Sequence, residues 1–277
     1  MPGAPCHARA MAEATSTGPV TVGVFGAAGR MGATVCRAVH DDPGLALVAA
    51  VDPGAAGEPI RTVAGVDLDL EVAGRADHLA EPPAVMIDFT HLEAARANLA
   101  WCAEHGVHAV VGTTGFTEAD LASFRAGFTR SNCLIAPNFA IGAILMMRFA
   151  ELAAPWFETA EVIEFHHDAK VDAPSGTAMR TVERLAEANA DWAPDPTTTH
   201  TVGGARGGEG PAGIRLHSVR MRGMVAHQEV LLGTTGQTLT IRHDSYDRSS
   251  FMPGVVLAAK RIADHPGVTV GLDPFLD

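Results

Sequence analysis

The sequence predicts an α/β protein: a Rossmann-like dinucleotide-binding domain joined to an α+β domain with an open mixed sheet. Three observations carry that expectation. Short apolar runs alternate with helical patterns from Val20 to Phe139, which is the signature of an open parallel sheet. The glycine run Gly26-Ala-Ala-Gly29-Arg-Met-Gly32 stands where the first strand gives way to the first helix. Beyond about residue 140 the alternation stops, and strand-like runs follow one another toward the end.

Val20 to Phe25 is an apolar run ending at Gly26 and reads as a buried strand. Arg30 to His40 sets Met31, Val35, Ala38 and Val39 at helical spacing, and Asp41-Asp-Pro-Gly44 breaks the pattern. Leu45 to Val51 is a second apolar run, closed by Asp52. Together these make a βαβ unit of about thirty residues. Val85 to Phe89, Val107 to Val111 and Cys133 to Ala136 read as further strands. Helices are expected over His91 to His105 and Thr117 to Arg130, with Thr117 as N-cap and Asp120 as its partner.

Ile141 to Leu152 is an apolar helix leading to a strand over Ala160 to Phe165. Ser175 or Thr177 starts the next helix, which runs to about Ala190. Residues 191–213 are rich in Gly, Pro and Thr and read as a long loop. Ile214 to Met221, Val225 to Leu232 and Gln237 to His243 are strand-like, and their short glycine-containing turns predict antiparallel pairing. A helix near Ser249 to Ala263 and the run Val268 to Leu272 return to the first style. The expected division is a disordered tail over 1–18, a dinucleotide-binding domain over 19–139 and 247–277, and a second domain over 140–246. The tail has no apolar segment of the secretory kind, and Met11 is an alternative start.

A net charge of −12 argues against nucleic acid and against an anionic membrane surface as partners. No apolar run is long enough to suggest a membrane span. The four cysteines, Cys6, Cys36, Cys102 and Cys133, lack C-x-x-C spacing, which fits a reducing compartment and excludes a cysteine zinc site.

The glycine run departs by one position from the commoner G-x-G-x-x-G, but it follows a strand and opens a helix, as pyrophosphate binding requires. Free N–H groups and the helix dipole would hold the phosphates there. Asp52, at the end of the second strand, is placed to accept the ribose hydroxyls of NADH and to repel the 2′-phosphate of NADPH. Arg30 is the nearest basic residue for that phosphate, so NADH is favoured and NADPH possible. Gly112-Thr113-Thr114-Gly115 and Pro137-Asn138-Phe139 leave strands at the edge that faces the ligand crevice. Each also reads as ordinary turn chemistry.

Only Lys170 and Lys260 are lysine; the other eighteen of the twenty basic residues are arginine. Lysine can give up its proton, and its pKa moves on burial. Lys170 lies in Glu164-Phe-His-His-Asp-Ala-Lys-Val-Asp-Ala-Pro-Ser-Gly-Thr-Ala178, beside His166 and His167 and just before a helix start. That combination points to an anionic substrate that must receive a proton. A metal reading, with the histidines and Asp168 or Asp172 as ligands, is the weaker alternative.

These motifs resemble the 4-hydroxy-tetrahydrodipicolinate reductase (dihydrodipicolinate reductase) family over nearly the whole chain from Val20. The resemblance rests on residues 24–32, 87–90, 111–116 and 136–139, and above all on Glu164-x-His-His-x-x-Lys-x-Asp-Ala-Pro-Ser-Gly-Thr177. It implies NAD(P)H-dependent reduction of a small cyclic dicarboxylate in diaminopimelate and lysine biosynthesis, by a cytoplasmic homotetramer. It assigns cofactor contacts to Gly26, Ala27, Ala28, Gly29, Arg30, Met31, Asp52, Gly112, Thr113, Thr114, Ala136, Pro137, Asn138 and Phe139. His166 matches the family's proton donor/acceptor and Lys170 its proton donor; His167, Gly176 and Thr177 match substrate contacts. A cationic histidine and partial desolvation are expected to ease proton loss from Lys170. Many members carry a third histidine where this chain has Ala169. Two other readings stay open: another NAD(P)-dependent reductase of an amino-acid or sugar acid, and a catalytically silent NAD-binding regulator.

Overall fold

The computed structural model describes residues 18–277. The tail over 1–17, with Cys6 and Met11, lies outside the described residues. The first sheet is built from β1 (Val20–Phe25), β2 (Leu45–Val51), β3 (Val85–Asp88), β4 (His108–Val111), β5 (Cys133–Ile135) and β11 (Val268–Val270). Its order is β11-β5-β4-β3-β1-β2, and every pairing is parallel. The chain moves from β1 outward to β2, then returns to β3 on the other side of β1. The crevice of a doubly wound sheet opens at such a reversal, beyond the strand ends.

The near-continuous apolar strands are explained by burial on both faces. Val22, Val24, Val35, Val39 and Ile87 are fully or almost fully buried in a core with α1 (Arg30–Asp41). The other face packs Met86, Leu99, Val111 and Phe124 beneath α3 (Leu92–His105) and α4 (Glu118–Gly127). The expected cap of α4 is present: the Thr117 hydroxyl accepts from Asp120 N–H, and the Asp120 carboxylate accepts from Thr117 N–H. Between β2 and β3, where no periodicity was legible, the chain forms a short α2 (Ile60–Ala64) and single bridges.

The second sheet runs β10-β9-β6-β8-β7, with β6 (Thr159–His166), β7 (Gly208–Glu209), β8 (Arg215–Arg220), β9 (Ala226–Thr234) and β10 (Gln237–Ser245). The β9–β10 hairpin is antiparallel, as expected. The expected antiparallel pairing of β8 with β9 is incorrect. β6 lies between them, parallel to β8 and antiparallel to β9. Residues 221–225 instead carry the chain over the end of β6, where Met221 N–H donates to His166 C=O at 3.0 Å. The physical reason is burial: β6 presents Ala160, Val162 and Glu164 to the covered face and gains most by being central.

Two helices cover that face, α5 (Ile141–Ala153) and α6 (Gly176–Ala188). The opposite face stays open, with Glu161, Ile163 and Phe165 only half-buried. One apolar core runs continuously from Val22 and Ile87 through Phe139 and Ile144 to Val162, Val182 and Leu232, so the two sheets share it. α7 (Met252–Arg261) then packs on α1, and β11 completes the first sheet. Arg184 of α6 bonds Asp273 just beyond β11 at 2.8 Å, tying the two sheets' helices together.

Candidate active site

The glycine run makes a tight turn from β1 into α1. Gly26 has φ of 68°, a conformation that costs other residues energy. A Cβ on Gly32 would lie 2.0 Å from the Gly26 carbonyl oxygen, so only glycine lets the helix sit this close to the turn. No side chain caps α1, and its first turn holds no acid. Its free N–H groups therefore form an unneutralised anion site. Ala28, Gly29 and Arg30 are exposed beside it, Gly26 and Met31 are half-buried, and Ala27 is buried. These features fit a dinucleotide pyrophosphate.

Asp52 stands at the end of β2 next to that turn. One carboxylate oxygen accepts from Ala28 N–H at 3.0 Å and the other from Gly54 N–H at 2.9 Å. It is thus both a turn-capping residue and a carboxylate aimed at the crevice. Each oxygen retains a lone pair for a ribose hydroxyl. The Arg30 guanidinium has no hydrogen-bond partner among the described residues.

Along the same edge, Gly112 N–H donates to Asp88 C=O, and the Thr113 hydroxyl donates to Thr90 C=O at 2.7 Å. Thr113 is buried and Thr114 exposed. Ala136 N–H donates to Val111 C=O, and Phe139 packs on Phe89 with ring centroids 5.5 Å apart. Pro137 is exposed and Asn138 half-buried. The Asn138 carboxamide caps Ala140 N–H at 2.8 Å and donates to the Thr177 hydroxyl at 3.3 Å. This contact joins the crevice edge of the first sheet to the first turn of α6.

α6 begins where the sequence places it. Ser175 is the N-cap, its hydroxyl accepting from Ala178 N–H at 3.2 Å. Ser175 N–H is taken by Glu164 at 3.2 Å. Gly176 and Thr177 N–H are left without acceptors among the described residues, at the positive end of a helix dipole. A cavity of about 150 Å³ opens here, lined by Asn138, Thr177, His166, Gln228 and His243 among others. A larger cavity, of about 340 Å³, lies under residues 192–196 on the open face of the second sheet. Its cations are already neutralised, Arg206 by Glu161 and Arg215 by Asp195.

His166 ends β6 with its ring on the smaller cavity and Nδ1 hydrogen-bonded to the buried Glu164 carboxylate. Arg220 of β8 bonds both Glu164 oxygens at 2.8 Å, and its Nη2 also donates to Asp172 C=O at 2.7 Å. Burial works against ionisation of Glu164, but hydrogen bonds from Arg220, Ser218 and His166 outweigh it and hold the carboxyl below its usual range. Burial pushes His166 down, helped by the charges of Lys170 and Arg220 and opposed by Glu164. Burial thus works against the cationic histidine expected beside Lys170. Lys170 does not line the cavity; its ammonium is held 2.8 Å from each oxygen of Asp172. His167 is exposed beside it, and Ala169 is exposed as well.

The local pattern does not reveal Arg220, Asn138's link to Thr177, or the lining residues Gln228 and His243. One signal for Arg220 is legible. Glu164 falls on the apolar face of its strand with Ala160 and Val162, and a carboxylate there requires a buried partner.

Comparison with known proteins agrees with this architecture. Residues 20–139 match the family model described as dihydrodipicolinate reductase, N-terminus, and residues 142–276 match its C-terminus counterpart. The chain is 52% identical over 265 residues to the 4-hydroxy-tetrahydrodipicolinate reductase of Nocardia farcinica, covering 93% of this chain and 99% of that protein. It is 48% identical over 260 residues to that of Mycobacterium marinum, covering 92% and 98%. A dipicolinate-bound dihydrodipicolinate reductase from Paenisporosarcina sp. TG-14 superposes with a TM-score of 0.80 at 35% identity, covering 92% of this chain and 99% of that one. An amine dehydrogenase from Mycobacterium smegmatis shares the fold alone, at 14% identity and a TM-score of 0.63. The chain belongs to the dihydrodipicolinate reductase family.

Proposed function

We propose that this chain reduces 4-hydroxy-tetrahydrodipicolinate to tetrahydrodipicolinate in diaminopimelate and lysine biosynthesis, using NADH in preference to NADPH. The observation that carries the reading is the Asn138–Thr177 contact. It sets a free helix N-terminus and His166 against the crevice edge of a dinucleotide-type sheet.

NADH, when bound, would supply a hydride to the ring; the 4-hydroxyl leaves as water together with a hydrogen from the neighbouring ring carbon, so hydride and one further proton complete the reduction. The glycine turn, with Gly26 to Met31, holds the pyrophosphate, and Asp52 accepts the ribose hydroxyls. Gly112 to Thr114 and Ala136 to Phe139 line the nicotinamide side. Gly176 and Thr177 N–H groups receive a substrate carboxylate, with His167 as a further contact. His166, hydrogen-bonded to Glu164 through Nδ1, presents Nε2 to the cavity and accepts or returns a proton there. Lys170 leaves Asp172 to donate a proton toward the ring nitrogen.

We also infer a dinucleotide-binding unit (19–139 and 247–277) and a substrate unit (140–246), a division that the two separate sheets support. The open face of the second sheet is the surface through which a homotetramer would assemble. Among the described residues no helix is long and apolar enough to cross a membrane. The cytoplasmic location we propose rests on the biosynthetic reaction itself.

The test is NADH oxidation with enzymatically generated 4-hydroxy-tetrahydrodipicolinate. Turnover is expected, falling steeply in Lys170→Ala with little change in NADH affinity. No oxidation under conditions where NADH binds would overturn the reading and favour a regulator.

A further inference from the structure

Glu164 and Arg220 lie outside every role assigned above, yet both groups proposed to move protons are connected through them. The Glu164 side chain is completely buried. Its Oε2 meets His166 Nδ1 and Arg220 Nη1, and its Oε1 meets Arg220 Nη2 and Ser175 N–H. Arg220 Nη1 also donates to Val219 C=O, and Nη2 to Asp172 C=O. Its Nε lacks a partner among the described residues, so every bond the guanidinium makes serves this junction or its own strand. Asp172 in turn holds Lys170. One buried carboxylate and one fork thus touch the histidine's strand, the lysine's segment and the cap of α6.

The geometry points to Glu164 and Arg220 as a pair of positioning residues: Glu164 fixes the ring proton of His166 on Nδ1, and Arg220 fixes the 170–175 segment and the α6 N-terminus relative to that ring. The inference rests on the functional reading above. A carboxylate that also accepts the Arg220 fork is an acceptor only, so His166 Nδ1 must be the donor. Nε2, which has no protein partner among the described residues, is then the nitrogen left for the cavity. The same carboxylate anchors Ser175 N–H, so ring orientation and the helix-start anion site share one support. The charged or titratable groups around His166 are Glu164 on its own strand, Lys170 beyond it, Arg220 on β8, and His227 and His243 lining the cavity from β9 and β10.

The test uses full-length protein with ¹⁵N-labelled histidine, the His166 signals being assigned by their loss in His166→Gln. Wild type should show Nδ1 protonated and Nε2 bare at neutral pH. Glu164→Gln should give a mixture of tautomers and a His166 protonation midpoint moved to lower pH, because the stabilising anion is gone. Its kcat should fall about tenfold or more, with the KM for NADH within about twofold of wild type. Arg220→Lys keeps the cation but replaces the planar fork with one nitrogen on a shorter stem, which loses the two parallel bonds to Glu164 from separate nitrogens and the reach to Asp172 C=O. It should keep the tautomer and raise the dicarboxylate KM several-fold. A folded Glu164→Gln with the wild-type tautomer and pH profile would overturn the inference. If that variant fails to fold, a wild-type KM in Arg220→Lys overturns it instead. Wild-type protein with the fixed tautomer but no turnover would sink the functional reading and leave the positioning pair intact.

Discussion

Asn138, at the crevice edge of the first sheet, donates its carboxamide to the hydroxyl of Thr177 in the first turn of α6 at 3.3 Å. Thr177→Val should remove the acceptor without changing volume much, while Thr177→Ser keeps it. The expected cost of the valine variant is about 1 kcal/mol in stability, with a larger rise in substrate KM than fall in kcat. Thermal unfolding and steady-state kinetics of the two variants check this; equal behaviour of valine and serine would show that the contact contributes nothing.

Gly32→Ala places a methyl 2.0 Å from a backbone oxygen, where no flexible side chain can yield. α1 must shift away from the turn, costing about 1–3 kcal/mol as overpacking does. NADH affinity should fall by at least an order of magnitude, measurable by fluorescence titration. Retained affinity would mean that α1 does not carry the pyrophosphate.

Asp52→Asn offers a sharper test of cofactor choice than deletion. The amide can accept only one of the two N–H bonds now made by Ala28 and Gly54. The kcat/KM ratio of NADH over NADPH should fall about tenfold, with a stability loss of about 1–2 kcal/mol from the unpaired donor. A wild-type preference for NADPH would show that the carboxylate serves the turn alone.

Burial lowers the protonation of His108, His166 and His243 below the ordinary histidine value. Nδ1 of His108 also accepts from Asn132 N–H at 2.9 Å. The folded-state values lie below the unfolded one, so the unfolded chain takes up protons first as pH falls. Stability should therefore decline on acidification below about pH 6.5, the unfolded value. Melting temperatures at pH about 7.5 and 5.5 read the decline, which His108→Gln should reduce. A melting temperature constant over that range would contradict it.

What the sequence made legible was local. The glycine turn, the Thr117–Asp120 box and the Ser175 cap are each set by residues a few positions apart, so pattern sufficed. Arg220 and Glu164 are 56 positions apart, and nothing near either names the other. The place of β6 between β8 and β9 failed for the same reason. A short glycine turn favours a hairpin locally, and burial of β6 overrode it. Asp52 was legible as a cofactor carboxylate or as a turn residue, and the structure makes it a turn residue that still faces the crevice.

The position of β6 also bears on how the molecule is made. Both neighbours of β6 come from residues 215 onward, and one edge of the first sheet is β11, made after every strand of the second sheet. A growing chain that has emerged only as far as residue 200 holds the histidine-bearing strand with both edges bare. Such edges invite wrong partners. The long, Gly- and Pro-rich passage from 191 to 213 delays their covering further. The second sheet is whole only once Ser245 has been made and the first only once Val270 has, so the site takes shape long after its own histidine-bearing strand has emerged.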